Sequence, residues 1–294
     1  MVTMAVPLLF PALGELIAER AGIINIGLEG LVLAGAFTAL VGAMFGGSTV
    51  LGVGAALAVG AALGAGLAFF VVRRNANQVV AGTALNLLVV GLTGVAYRAI
   101  FGVTGAALTI PGSEAVPLPV LSALPIIGPA FFRQPPLAYA GFILVPCLAY
   151  LLARTVPGLK LRMVGENPHA AEAQGVGVER TRTLALVLCG ALAAAGGAYL
   201  ALAYAKTFVE GMSAGRGFIA LAIVIVGRRS AWGILIAALL FGLVTALQFH
   251  FQALALPIPF QFFLALPYLL TLIVLAVHTG GAAAPAALGQ PYER

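Results

Sequence analysis

The chain contains no aspartate; its nine acidic residues are all glutamate. It has two lysines, two cysteines, three histidines and one tryptophan in 294 residues, and only 8% of it is charged. Each shortage excludes something. Without aspartate there is no Walker B carboxylate for Mg²⁺ and no aspartyl-phosphate nucleophile. Neither Lys160 nor Lys206 follows a glycine, so no Gly-Lys-Ser/Thr phosphate loop exists. The chain is therefore not expected to hydrolyse ATP, and no catalytic residue is assigned. A Thr-Val-Gly-Tyr-Gly potassium filter is absent. Cys147 and Cys189 lie in apolar runs, where free thiols pack as small hydrophobes. No Cys/His cluster has ligand spacing, so no metal and no cofactor are expected. The glutamates and histidines all fall in loops or at the ends of apolar runs. No carboxylate or imidazole is placed to carry a proton at mid-membrane.

What is present is apolar. Hydrophobic residues make up 62% of the chain, against roughly 45–50% in soluble proteins. That excludes a soluble enzyme or a nucleic-acid binder and implies an all-α polytopic protein of the lipid bilayer. Charge-free runs place spans at about 3–18, 28–45, 49–72, 79–97, 137–153, 184–203, 212–227, 231–249 and 262–278. The run 212–227 is the weakest, because Gly211, Gly215 and Gly217 around Arg216 make a poor helix start. Residues 98–136 carry seven prolines and read as an extended loop at one mouth. Residues 154–182 carry five basic and three acidic residues. A permease domain thus occupies 1–278, followed by a flexible Ala/Gly/Pro-rich tail, 279–294. With alternating crossings, eleven Lys/Arg fall on the side of 154–182 and four on the side of 98–136. The positive-inside rule makes the first side cytoplasmic. Gly52, Ala56, Gly60, Gly64 and Ala68 recur every fourth residue, a stripe for close helix packing in lipid.

The cytoplasmic loop holds one capped segment. Asn167 is a good N-cap, Pro168 suits the first helical position, and Gly175 can end a helix in the left-handed conformation. About seven residues are not a stable helix alone, so the segment must pack on something. It is either a coupling helix seated in a soluble ATPase, with small Gly165 and Ala171 allowing close approach, or a helix lying on the membrane or on its own bundle.

Four stretches in order carry a family resemblance. Glu19-Arg20-Ala21-Gly22-Ile23-Ile24-Asn25-Ile26-Gly27-Leu28-Glu29-Gly30 resembles the N-terminal signature of inner-membrane permeases of nucleoside and simple-sugar ABC importers. This is the binding-protein-dependent permease family of the branched-chain amino acid/ribose type. Asn77 to Asn86 resembles that family's fourth span. Gly165-Glu166-Asn167-Pro168 with Ala170, Ala171 and Gly175 resembles its ATPase-coupling loop. Gly211-Met212, Gly215 to Ala222 and Phe241-Gly242 resemble its C-terminal half. The Gly-Leu-Glu-Gly form and the Pro-rich loop ending Phe131 to Pro135 are most similar to the nucleoside branch. Family members carry some residues before the first span, so the native start is expected upstream of Met1.

The resemblance implies about nine to ten transmembrane helices, in a fold like the vitamin-importer type of ABC permease with two inverted halves. It implies a multi-pass protein of the bacterial plasma membrane that moves nucleosides. Its partners would be an ABC ATPase subunit, a second permease (paralogue or self) and an extracytoplasmic substrate-binding lipoprotein. A simple-sugar permease and a sodium-coupled carrier or facilitator are the alternatives.

Polar residues at membrane depth are the pathway candidates. Asn86 leads, followed by Gln78, Thr83, Thr93, Tyr97 and Thr245; an amide there must find a partner, either another helix or the solute. Asn25 and Glu29 at the opening of the second span read as a structural anchor or as a gate. Arg216, between glycines, reads as a loop charge. So sparsely polar a path leaves discrimination to the binding lipoprotein.

Overall fold

The computed structural model describes residues 1–102, 113–117, 119, 122, 128, 131–254, 260–277 and 284–292. Much of the proline-rich loop, the 255–259 connection, 278–283 and the last two residues lie outside them. The expected apolar runs are helices, and among the described residues the fold is all-α apart from one two-residue pairing. The first five are α1 (Val2–Arg20), α2 (Leu28–Gly46), α3 (Thr49–Ala68), α4 (Gln78–Phe101) and α5 (Pro136–Arg154). Two short helices follow, α6 (Val156–Glu166) and α7 (Pro168–Ala173). The last four are α8 (Val178–Tyr199), α9 (Arg216–Val226), α10 (Ala231–Ala253) and α11 (Phe260–Val277). A π-helical turn extends α3 over Phe69–Arg73 and another extends α8 over Leu200–Ala205. Seven of these helices, α1 to α5, α8 and α10, are long and apolar enough to cross a membrane. In the proline-rich loop, β1 (Val116–Pro117) pairs antiparallel with β2 (Arg133–Gln134).

The helix ends follow local chemistry. Ser48 accepts from the amide of Val50 and opens α3; Asn77 accepts from those of Val79 and Val80 and opens α4. Ser230 accepts from Gly233 N–H at the start of α10. Gly47, at φ +64°, turns α2 into α3. The small-residue stripe packs as expected. A Cβ on Gly52 would stand 2.6 Å from the Ala39 carbonyl, and Cβ atoms on Gly60 and Gly64 would strike the backbone of Gly190 and Leu186 on α8. Glycine and alanine there let α2, α3 and α8 meet backbone to backbone, which maximises dispersion contact where lipid removes the hydrophobic drive. The centre is α1, sheathed by α8, α9 and α10 and buried over 89% of its span. By contrast α4 is on the periphery, with 17% of its span buried.

Two local expectations change. The loop 154–182 is not one segment with a lone short helix: Thr155 caps α6 by accepting from Gly158 N–H, with Pro157 in the first turn. Residues 284–292 of the C-terminal tail pack on the bundle. Ala287 N–H donates to the Gly165 carbonyl and Gly289 N–H to that of Gly22. Ala287 and Tyr292 are buried. Two side chains, aliphatic and aromatic, gain cover, and backbone amides find partners, which together hold a segment whose composition alone reads as loose.

Candidate functional site

The α1–α2 connection carries the first part of the site. After Arg20 the chain turns back along α1. Ile23 N–H donates to the Ala18 carbonyl and Asn25 N–H to Glu15 Oε1 at 2.9 Å. Residues 21–27 therefore climb more than a turn beside α1 before α2 begins, and α2 starts inside the bundle. Three predicted residues meet at this segment and the start of α2. Asn25 is fully buried; its Oδ1 accepts from Gly27 N–H at 2.9 Å and its Nδ2 donates to Cys189 Sγ at 3.3 Å. Gln78 Oε1 accepts from Ile24 N–H at 2.8 Å. Asn86 Oδ1 accepts from Gly30 N–H at 2.7 Å, and its Nδ2 donates to the Ile26 carbonyl at 2.9 Å. These amides serve donors and acceptors that an irregular strand and a helix start leave over.

Glu29 reaches the other way. Its Oε1 accepts from Gly215 N–H and its Oε2 from Gly217 N–H, both at 2.8 Å. Those amides open α9, which at 11 residues rises about 16 Å, half of a bilayer core. The stretch before it, 206–215, is irregular, with Lys206, Gly211, Ala214 and Gly215 all at positive φ. Beyond α9 the chain returns to the Arg20 end. Arg229 Nε pairs with Glu19 Oε2 at 2.6 Å and its carbonyl accepts from Arg20 Nη2. So 206–229 runs from one end of the bundle to the other, as an irregular half and a helical half. The N-termini of α2 and α9 converge on one carboxylate, which favours the positive end of both helices.

The remaining predicted residues are dispersed. Thr83 lies on the exposed face of α4 and donates to its own helix at Val79. Thr93 is buried and donates to the Val89 carbonyl. Tyr97 packs against Phe101 and Phe208 at ring distances of 5.3 and 5.5 Å. Thr245 lines a separate cavity, with Arg216, Tyr204, Gln248 and Tyr268. At the far end Arg98 holds Glu210 through two 2.9 Å contacts.

The segment 165–175 forms the short helix its caps announce. Asn167 Oδ1 accepts from Ala170 N–H at 3.0 Å, and Gly175 ends it at φ +78°. Which face is free differs from expectation. Gly165 and Ala171 are buried, and a Cβ on Gly165 would strike the Arg20 carbonyl. The small residues seat the segment on its own bundle; Glu166, Asn167, His169, Ala170 and Ala173 face outward, as does Gly175. Pro168 points inward with Ala171.

Five side chains were missed or misread in the sequence. Glu15 counts among the glutamates at the ends of apolar runs, yet it is fully buried because 21–27 covers it. Gln248 and the tyrosines of the cavity went unremarked, although a glutamine in a charge-free span is itself a signal of an unmet partner. Arg216 read as a loop charge but lines that cavity. Among the described residues no group of three His, Cys, Asp or Glu side chains could hold a metal ion.

The chain matches the family described as branched-chain amino acid transport system / permease component over residues 1–275. A putative glucose ABC transporter permease of Haloferax volcanii is 37% identical over 99% of this chain and 95% of its own. The nucleoside ABC transporter permease NupC of Lactococcus lactis is 38% identical, again over 99% and 95%. The guanosine ABC transporter permease NupQ of Bacillus subtilis is 35% identical over 98% and 93%. Shorter matches, over 35% and 32% of this chain, reach a second permease of each of those two bacteria, NupB and NupP. No solved structure matches at a significant level.

Proposed function

Because this chain belongs to the branched-chain amino acid transport system permease family, we propose that it is the membrane subunit of an ABC importer that moves nucleosides. The observation that carries the substrate is the full-length identity of 35–38% to permeases named for nucleosides and guanosine. A simple-sugar permease is the second reading, favoured by the 37% identity to a glucose permease. The family match and the ABC-permease names of the relatives argue against a sodium-coupled carrier acting alone.

The mechanism follows from how the parts are held. A separate ATPase dimer supplies the energy, since the chain lacks every residue set for hydrolysis. The end that carries Arg20, α6 and α7 faces the cytoplasm. There α7 offers its outward face to the ATPase, while Gly165, Pro168 and Ala171 pass the push into the bundle at Arg20 and Gly22. The lipoprotein delivers the solute at the opposite mouth. A second permease completes the pore; two nucleoside permeases in Lactococcus lactis and two guanosine permeases in Bacillus subtilis, all similar to this chain, support a paralogous partner. Nine crossings account for the chain, α9 with its irregular lead being one. The halves are inverted: α2 and α9 start at one point, each after a glycine-rich irregular segment, and run to opposite ends. Asn25, Gln78, Asn86 and Glu29 hold that junction as a hinge.

The test is uptake of labelled nucleosides in the native host with this gene deleted and restored. Deletion should abolish nucleoside uptake and leave glucose and ribose uptake unchanged. Loss of sugar uptake with nucleoside uptake intact would replace the first reading by the second.

A further inference from the structure

The cavity between α1, α9, α10 and α11 is built of side chains with unspent hydrogen-bonding capacity. Gln248, on α10, is 6% exposed, and its amide makes no hydrogen bond to another described residue. The amide is not sealed inside the protein; it opens onto the cavity that Gln248 lines and keeps its donors and acceptor available there. Arg216, at the first turn of α9, spends Nη1 on the carbonyls of Met212 and Ser213 at 3.0 and 3.1 Å. Its Nε and Nη2 have no bond to a described residue and are not sealed from the cavity. Tyr204 from the π-helical end of α8 and Tyr268 from α11 flank the two, and Phe249 adds a third ring.

The wall is also strained. Ala214, which lines the same cavity, holds φ +46° and is followed by Gly215 at +80°. Non-glycine residues in that region cost on the order of 1 kcal/mol or more and concentrate where a site must be shaped. The strain turns the backbone so that the amides of Gly215 and Gly217 face Glu29 and the Arg216 side chain faces the cavity. The positive end of α9 is thereby matched by the Glu29 carboxylate, which disfavours an anionic ligand as the intended occupant.

From this arrangement we infer that the cavity is a solute subsite within the membrane subunit, shaped for the base of a nucleoside with adjacent carbonyl and ring-nitrogen acceptors, a 6-oxopurine. The aromatic side chains supply faces for a planar ring. The guanidinium fork presents two parallel donors, which match O6 and N7 of such a base. Gln248 supplies one donor and one acceptor for a further edge. A sugar has hydroxyl groups for these donors but no flat face for the rings. An adenine base puts a donor, its 6-amino group, where Arg216 needs an acceptor. The inference rests on the nucleoside reading and adds selectivity inside the membrane, where the sequence alone left it to the lipoprotein.

The experiment compares wild type, Gln248→Leu and Tyr268→Ala in the complete importer of the native host, with the lipoprotein unchanged. Initial uptake rates are measured for inosine, guanosine, adenosine, cytidine and ribose, normalised to the amount of this subunit in the membrane. Because the lipoprotein is constant, any change in the ratio of rates belongs to this chain. Gln248→Leu should lower the inosine-to-cytidine and guanosine-to-adenosine ratios at least fivefold. Tyr268, half exposed and free of any folding role assigned above, should shift the same ratios when cut to alanine, which keeps the test intact if the Gln248 variant is poorly inserted. If nucleosides move but every ratio matches wild type in both variants, the cavity is not a subsite and the inference fails while the nucleoside reading stands. If wild type carries ribose and no nucleoside, the nucleoside reading fails and takes the base assignment with it.

Discussion

Glu29 shows how one side chain can join parts of a fold that the sequence keeps far apart. It sits in the first turn of α2, yet the amides it accepts lie 186 and 188 residues away. A hydrogen bond to a charged group contributes about 1.5–3 kcal/mol. Glu29→Ala should therefore lower stability by about 3 kcal/mol or more. Glu29→Gln, which keeps one carbonyl acceptor, should cost about half as much. Thermal inactivation of the detergent-solubilised protein reads both; equal losses in the two variants would show that charge, not acceptor count, holds α9. Asn86 and Thr83 make a second contrast. Asn86→Leu strands Gly30 N–H and the Ile26 carbonyl inside the bundle, a loss of about 1–3 kcal/mol for each stranded group. Thr83→Ala removes only a bond from an exposed side chain to its own helix and should stay within about 0.5 kcal/mol. The same unfolding measurement decides, and a Thr83 loss matching that of Asn86 would put the partner of Thr83 outside this chain. Sequence ranks Asn86 ahead of Thr83 but marks both as polar residues in an apolar run. Their difference is which face of α4 meets α2, and no local pattern states that.

At the scale of elements, what was legible is what is written within four residues. The cap at Asn167 acts on an amide one turn away, and the stripe of Gly52, Gly60 and Gly64 shows itself by its four-residue spacing; both were readable. The docking of 284–292 was not, because its partners lie far along the chain. The Tyr292 hydroxyl bonds Glu172, 120 residues earlier, and its ring meets His169. Ala286 N–H donates to Glu166, and Arg182 Nη1 donates to the Gln290 carbonyl. The tail thus straps α7 to the start of α8 and to the α1–α2 turn. A six-residue helix has no stability of its own, so removing the chain after residue 283 should loosen it. Trypsin should then cut at exposed Arg180 several-fold faster in membranes; an unchanged rate would show that the bundle alone holds α7. Substitutions separate seating from coupling on the same element. Gly165→Leu meets the Arg20 carbonyl and should reduce the amount of folded protein. Ala170→Trp and Ala173→Trp alter only the outward face and should leave folding intact while lowering nucleoside imported per ATP hydrolysed. Normal coupling in both tryptophan variants would remove α7 from the ATPase interface.

For the whole molecule the open question is which end faces the cytoplasm. The class of fold was legible from composition because the bilayer admits few architectures for a chain this apolar. The junction at Glu29 was less so, since α9 at 11 residues is too short to announce itself as a crossing. The course of 206–229 decides where Arg228 and Arg229 lie. If 206–229 dipped in and returned, Arg228 and Arg229 would sit with Arg98 and Lys206; instead Arg229 is paired with Glu19 at the Arg20 end. Both arginines therefore lie at the end that carries Arg20. Residues 113–117 lie at the other end of α8, where Ser113 N–H reaches the Leu202 carbonyl. The two ends can be labelled separately. Cys189 is buried and Cys147 is exposed, so Cys147→Ala gives a silent background. In it, Glu114→Cys should react with a membrane-impermeant maleimide on intact cells. Gln174→Cys, exposed beside α7, should react only after the membrane is opened. The reverse pattern would invert the protein in the membrane, move α6, α7 and the C-terminal strap to the side where the lipoprotein docks, and end their assignment to the ATPase.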